Sequence, residues 1–348
     1  MKKVSMLSGI QQVGIGVKDA EEAWKWYRRN FGMDIPVFKD ASTADFMTRY
    51  TGGQVRNRYA ILAINLQGGG GFEIWQFTDR DGPYTDFQIQ PGDIGIFGVI
   101  LKCKDVEKAH GYFKQNNHPV SDIFKTTWGG QRFHLNDPWN NRFTFSEGLG
   151  WFGKGSHENG GIQGVQIGVQ DMDRALRFYR DVLGFDKVVS DETGIVHEFG
   201  KGSFRRILLQ PSVPFGGAFS RLLGPSEIEL VQSIDHQGRK IYEGRYWGDP
   251  GFIHLCFDVN DMAELEERCE AQGFPFTVNS GNNFDMGEAA GQFTYCEDPD
   301  GTLIEFVKTR RLPILKKFGW YLDIGKRDVS KPLPDWMLKS MRFQRVKD

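Results

Sequence analysis

Seven histidines, four cysteines and 45 carboxylate side chains are the groups with which this chain can do chemistry. The cysteines, Cys103, Cys256, Cys269 and Cys296, show no C-x-x-C spacing, so neither a zinc knuckle nor a disulfide framework is indicated. The run GGGG at 68–71 opens no helix and has no lysine after it, so it is no phosphate loop. A mobile hairpin near the site is expected there. More informative is Glu73 in FEIWQF, because strand alternation puts it on one face with Trp75 and Phe77. A carboxylate in that company is poorly solvated and needs a partner, for which a metal ion is well suited. By the same alternation Gln12, Gly14 and Gly16 share a face, and Cys256 shares one with His254, where a buried core thiol is expected.

The elements that position these residues come from an internal repeat. Residues 10–34 (IQQVGIGVKDAEEAWKWYRRNFGMD) and 162–186 (IQGVQIGVQDMDRALRFYRDVLGFD) are identical at 12 of 25 ungapped positions. Each copy reads as a strand, an Asp N-cap, an amphipathic helix and a glycine C-cap at Gly32 or Gly184. FGVILKCKDVEKA (97–109) and IHLCFDVNDMAEL (253–265) repeat the strand, Asp and helix start. LNDPWNNRFTF (135–145) matches CEDPDGTLIEF (296–306), a turn feeding a strand. The chain thus divides into modules at 1–83, 92–150, 160–236 and 250–308, followed by an extension at 309–348.

Composition sets the class. Forty-three glycines without a G-x-y period exclude collagen, and 39% hydrophobic residues exclude disorder. A net charge of −2 offers no basic field for nucleic acid. The extension carries 11 Lys/Arg against 4 Asp, leaving about −9 for the remainder. It also carries Leu312, Ile314, Leu315, Phe318, Trp320, Tyr321, Trp336, Met337 and Phe343, with PLPDWMLKSMRF (332–343) reading as a capped short helix. It is expected to pack across a barrel or a subunit face, with a lid over the cavity as the alternative. The start MKKVSMLSGIQQ lacks an apolar signal run and no stretch approaches a membrane span, so a cytoplasmic protein without membrane partners is expected.

Strand, helix, then three strands ending x-E-[LIF], four times over, resembles the vicinal oxygen chelate superfamily of glyoxalases, bleomycin resistance proteins and extradiol dioxygenases. The pieces that carry the resemblance are HLCFDVND (254–261) and DPDGTLIEF (298–306). It implies an α+β fold of four βαβββ modules paired into two incomplete barrels around a divalent metal. The superfamily draws ligands from the first and last strand of a module. Those positions here are Gln12, Gly98, Gly164 and His254 on the first strands, and Glu73, Thr144, Glu229 and Glu305 on the last.

Pairing one with four and two with three unites Gln12, Glu73, His254 and Glu305, a set like that of glyoxalase I, and leaves the other barrel without metal. Pairing one with two would instead give Glu229, His254 and Glu305. The first arrangement is favoured, with Zn, Ni, Co or Mn as the ion and two positions open for substrate. The resemblance then implies a glyoxalase-like isomerase, lyase or epimerase acting on a small oxygen-chelating substrate. Glu305 would take a carbon-bound proton, Glu73 would be the second carboxylate, and the enediolate would be stabilised at the metal. The alternatives are a small-molecule binding protein, metal-free or metal-bound, and an Fe(II) extradiol-type dioxygenase, which needs a second histidine where Gly164 stands. A monomer or homodimer is expected.

Other candidates have plainer readings. His134 and His197, the latter in a mid-module strand region, are expected to be hydrogen-bonded structural residues, and His110, His118, His157 and His236 surface or loop residues. Arg239, Arg245 and Tyr246 are expected as solvated loop residues, with a grip on an anionic substrate group as the alternative.

Overall fold

The computed structural model describes residues 5–148, 150–281, 284–285, 290–315, 320–324, 327–328 and 330–347, without the side chains of 284–285, 290, 311–315 and 320–322. Each module opens with a lead strand: Leu7–Gly16, Gly95–Cys103, Asn159–Gly168 and Gly251–Val259. A helix follows, started by an aspartate whose side chain accepts backbone N–H groups of the first turn: Asp19, Asp105, Asp171 and Asp261. Gly32 ends the first helix at φ 66°, and its N–H closes on the Arg28 and Tyr27 carbonyls, a backbone state that glycine adopts without strain. The third helix departs from the single amphipathic helix expected of it. After Met172–Leu176 it widens into a π turn over Arg177–Val182.

The lead strands build the sheets. Leu7–Gly16 runs antiparallel to Gly251–Val259, aligning Gly14 with His254 and Gln12 with Cys256. Gly95–Cys103 likewise runs antiparallel to Asn159–Gly168. Each lead strand also lies parallel to the last strand of its own module: Gly71–Phe77, Arg142–Glu147, Glu227–Ser233 and Leu303–Leu315. The result is a ten-stranded sheet from the first and fourth modules with one strand of the C-terminal extension, and an eight-stranded sheet from the second and third, each curled into an incomplete barrel.

Helices tie the barrels together in the other combination. Tyr27 of the first helix donates its hydroxyl to Asp137 at 2.5 Å, and Tyr179 of the third donates to Asp298 at 2.9 Å. Both tyrosines are buried, and both aspartates belong to the repeated Asp-Pro turns. One apolar core therefore runs through both sheets, from Tyr27, Phe31 and Phe72 to Phe143, Tyr179 and Phe257.

The glycines at 68–71 are not a mobile hairpin. They are buried where the barrels meet: Gly70 and Ile162 exchange N–H···O bonds at 2.8 Å, and Gly161 donates to the Gly68 carbonyl at 2.8 Å. A Cβ at Gly69 or Gly161 would collide with the opposing backbone, so the close approach requires glycine.

The last strand of the fourth module runs on to Leu315 and pairs with Trp320–Asp323. Further on, Asp335–Lys339 is a short helix with no side-chain cap, because its N-cap position is Pro334, which has no polar side-chain atom; Asp335 pairs with Arg221 at 3.1 Å. Its Leu338, with Leu333 and Met341, is buried against Ile64, Phe152, Phe219, Leu222 and Leu223. Met337 packs beside this cluster, while Trp336 and Phe343 are exposed. Phe318 and the side chains of Leu312, Ile314, Leu315, Trp320 and Tyr321 lie outside the described residues. Among the described residues no helix is long and apolar enough to cross a membrane.

Candidate metal centre

Strand register fixes the site. Gln12 and His254 come from the two central antiparallel strands, and Glu73 and Glu305 from the parallel strands flanking them. Gly14 lies directly across from His254, and a Cβ there would collide with the imidazole. The ring occupies the space that this glycine leaves.

The four side chains converge. His254 Nε2 is 3.0 Å from Glu305 Oε2 and 3.3 Å from Glu73 Oε2. Gln12 Nε2 donates to the same two oxygens, at 3.2 Å to Glu73 and 3.4 Å to Glu305. Tyr295 Oη stands 3.5 Å from His254 Nδ1, and the Trp247 ring lies nearly parallel to the imidazole at 14°. All four residues are buried. Burial alone would lower the His254 pKa, yet the charges and contacts of Glu305 and Glu73 outweigh it and raise it to about 9.

Ligand atoms of Glu73, His254 and Glu305 all lie within 4.8 Å of one another, the one such cluster of potential metal ligands among the described residues. Two observations bear on whether a divalent ion fits. His254 Nε2 is close to both carboxylates but has no aligned hydrogen bond, and buried Gln12 Oε1 has no partner. Two carboxylates, an imidazole nitrogen and an amide oxygen, with two of the four polar ends unsatisfied, make a donor set suited to a borderline divalent cation. Gln12, Glu73 and Glu305 open onto a cavity of about 430 Å³, whose wall includes Trp75, Trp247, Phe293 and Tyr295.

The comparisons with known proteins agree with this architecture. The model of the Glyoxalase/Bleomycin resistance protein/Dioxygenase superfamily matches residues 9–145 and again 161–306. The chain belongs to this superfamily. A solved putative dioxygenase from Bacillus subtilis subsp. subtilis str. 168 superposes with a TM-score of 0.59 at 14% identity, covering 99% of this chain and 98% of that one. Glyoxalase I from Zea mays superposes with a TM-score of 0.54 at 13% identity, covering 86% and 92%. At such identities the likeness speaks for the fold alone. No curated protein matches the chain by sequence.

The two barrels of this chain differ at the equivalent positions. In the second barrel the equivalent of Gln12 is Gly164, and the equivalent of Gly14 is Gln166, which collapses toward Gly98 where the first barrel has His254. Gln166 donates to Glu229 Oε1 at 2.8 Å and accepts from Thr144 at 2.8 Å. The other oxygen, Glu229 Oε2, takes two hydrogen bonds from Arg132, at 2.7 and 2.8 Å. Arg206 pairs with Glu198, and Arg132 lies 3.5 Å from the same carboxylate. Burial would raise the Glu229 pKa, but Arg132 and Arg206 hold it below the usual carboxylate range. A guanidinium thus stands against the carboxylate that in the first barrel would face a metal. Sequence reading missed Arg132, Arg206 and Gln166. Only Gln166 left a trace there, the exchange of Gln and Gly between QVG (12–14) and GVQ (164–166).

None of the remaining candidates is among the residues that line the cavity. His134 Nδ1 bonds Thr144 at 2.8 Å. His197 is exposed and starts a tight 3₁₀ turn, not a strand, because the chain reverses there before Gly200. His118 bonds Asn30, His110 the Ser121 carbonyl and His236 Ser233, while His157 is part-buried in the loop before the third lead strand. Arg245 donates to the Ile241 and Pro250 carbonyls, Arg239 stacks on Phe87, and Tyr246 lies under Arg80. None of these three residues lines the cavity. Cys256 is buried in the core, its thiol 3.6 Å from Gln11 Oε1.

Proposed function

We propose that the protein is a divalent-metal-dependent, glyoxalase-like isomerase, lyase or epimerase that abstracts a carbon-bound proton from a small oxygen-chelating substrate. What carries the reading is the convergence of Gln12, Glu73, His254 and Glu305 at a buried cavity wall, with His254 Nε2 and Gln12 Oε1 left without hydrogen-bond partners. These four residues would hold Zn, Ni, Co or Mn, and the ion would supply Lewis-acid stabilisation of the enediolate charge. Glu305 accepts the proton and Glu73 is the second carboxylate that can return it. Gln12 and His254 hold position, with Trp247 and Tyr295 fixing the imidazole. The alternative of an Fe(II) dioxygenase calls for two histidines and one carboxylate, and this cluster offers a single histidine.

The test combines elemental analysis of chelator-free protein with solvent-deuterium exchange into a panel of α-hydroxyketones followed by NMR. One metal per chain and exchange abolished in Glu305→Gln, with metal still bound, are expected. Exchange at the wild-type rate in Glu305→Gln would remove the mechanism. A protein that takes up no divalent ion on titration would be read instead as a binding protein.

A further inference from the structure

The cavity extends well beyond the four polar residues, and two segments outside the repeated strands and helices close it. One is the short helix Ser220–Leu223 with the preceding Phe219, inserted in the third module. The Leu222 carbonyl accepts the Gly69 N–H at 2.8 Å, which pins this insertion to the first barrel. The other is the C-terminal extension, which contributes Met341. Phe219, Leu222, Leu223 and Met341 form a continuous apolar wall with Ile64. The volume of about 430 Å³ is roughly three times the ~150 Å³ cavity that takes up one benzene molecule.

Charge narrows the occupant further. The carboxylate and cationic side chains on the described lining are Asp40, Asp45, Glu73, Glu305 and Arg58. Arg58 is committed: it pairs with Asp40 Oδ2 at 2.6 Å, donates to the Asp40 carbonyl at 3.0 Å and stacks over Trp75. With Glu73 and Glu305 assigned to the ion and Asp40 paired with Arg58, Asp45 is the charge left over, so beyond the chelating end an anionic group would meet a carboxylate and no uncommitted cation among the described lining residues.

We propose that the substrate is an oxygen chelator with an uncharged, apolar body, and that Phe219, Leu222, Leu223 and Met341 select it by length. The proposal rests on the metal reading for the chelating end but not for the apolar chamber. The extension then serves as a wall of the binding site. Apolar burial per methylene sets the expected size of the effect, about a fourfold gain in affinity for each one that reaches the wall.

Two titrations of the full chain separate the claims. In the first, the zinc-loaded protein is titrated calorimetrically with straight-chain hydroxamates from acetyl to octanoyl, and with the octanoyl analogue ending in a carboxylate. Affinity should rise about fourfold per methylene until the cavity is full, and the carboxylate-ended probe should bind at least about tenfold more weakly than octanoyl. In the second, metal-free protein is titrated with the uncharged fluorophore N-phenyl-1-naphthylamine, which should bind with enhanced emission and be displaced by octanol. Met341→Trp should cut the octanoyl-to-acetyl affinity ratio at least about tenfold and weaken the fluorophore, and Leu222→Phe does the same should the first variant fail to fold. A chain-length series that stays flat, or a carboxylate-ended probe that binds as tightly, overturns the proposal. Fluorophore binding without zinc uptake sinks the metal reading and upholds the chamber.

Discussion

Replacing Arg132 by methionine tests whether the second barrel is held by a guanidinium. Arg132 is 1% exposed and gives Glu229 Oε2 two hydrogen bonds, at 2.7 and 2.8 Å. With it gone, fully buried Glu229 keeps the Gln166 amide and an Arg206 nitrogen 4.0 Å away. Removing one member of a buried pair costs about 3–5 kcal/mol, because the other charge is left uncompensated. For a chain of this size that corresponds to a fall of about 4–7 °C in the unfolding midpoint. The pH dependence carries the sign. In the wild type Glu229 has a lowered pKa and adds stability above the unfolded carboxylate range, which is lost as pH falls. Without Arg132, burial dominates and raises that pKa, so the variant's deficit should grow as pH rises. Differential scanning calorimetry at pH 5.5 and pH 8 reads both effects, and Arg132→Met with Glu229→Gln should recover much of the loss. A midpoint within about 2 °C of wild type at both pH values would refute the argument, since it would mean that the buried carboxylate needs no cation.

Two further outcomes follow from the packing of the first barrel. Gly14→Ala places a methyl group in the imidazole of His254, so metal affinity measured by competitive chelator titration should fall at least about tenfold while the far-ultraviolet circular dichroism is unchanged. Asp258 is buried, which raises its pKa to about 7 with the Ser8 hydrogen bond offsetting only part of the effect. Its folded pKa lies above its unfolded one, so its contribution is present below pH ~4 and lost as pH rises through 7, by at most about 4 kcal/mol. Asp258→Asn should therefore raise the midpoint at pH 8.5 relative to wild type and flatten its decline between pH 5 and 8.5; an unchanged slope would show that Asp258 stays charged and well solvated.

Local chemistry made the elements legible. Four aspartates cap four helices because each follows an apolar run and precedes residues at helical spacing, and neither signal depends on what lies across the sheet. The carboxylate in FEIWQF announced itself by its apolar neighbours. Where sequence reading failed, the deciding partner lay far along the chain. Gly69 and Gly161 look like linker glycines until the barrels are seen to touch there. Arg132 lies 97 residues from Glu229, in a strand whose alternation distinguishes inside from outside but not which distant carboxylate waits inside. The wall formed by Phe219, Leu222, Leu223 and Met341 joins an insertion to the extension, and no periodicity connects the two.

The strand register also explains why the two barrels differ. The superfamily model matches 9–145 and 161–306, yet neither match is a barrel. Each barrel takes one module from each match, while Tyr27 with Asp137 and Tyr179 with Asp298 hold each match together across the barrels. If the two matches arose by duplication, the copies were then free to diverge in complementary ways. The first retains Gln12 and Glu73 but has Gly98 and Thr144 in its second module. The second retains His254 and Glu305 but has Gly164 in its first, with Glu229 left over. Crossed pairing collects the retained halves in one sheet and the altered halves in the other. A buried Glu229 without metal-ligating companions then needs a different cation, and Arg132 supplies one. The guanidinium in the second barrel and the metal-suited cluster in the first are thus two outcomes of one topology, and neither half of the chain carries a complete site.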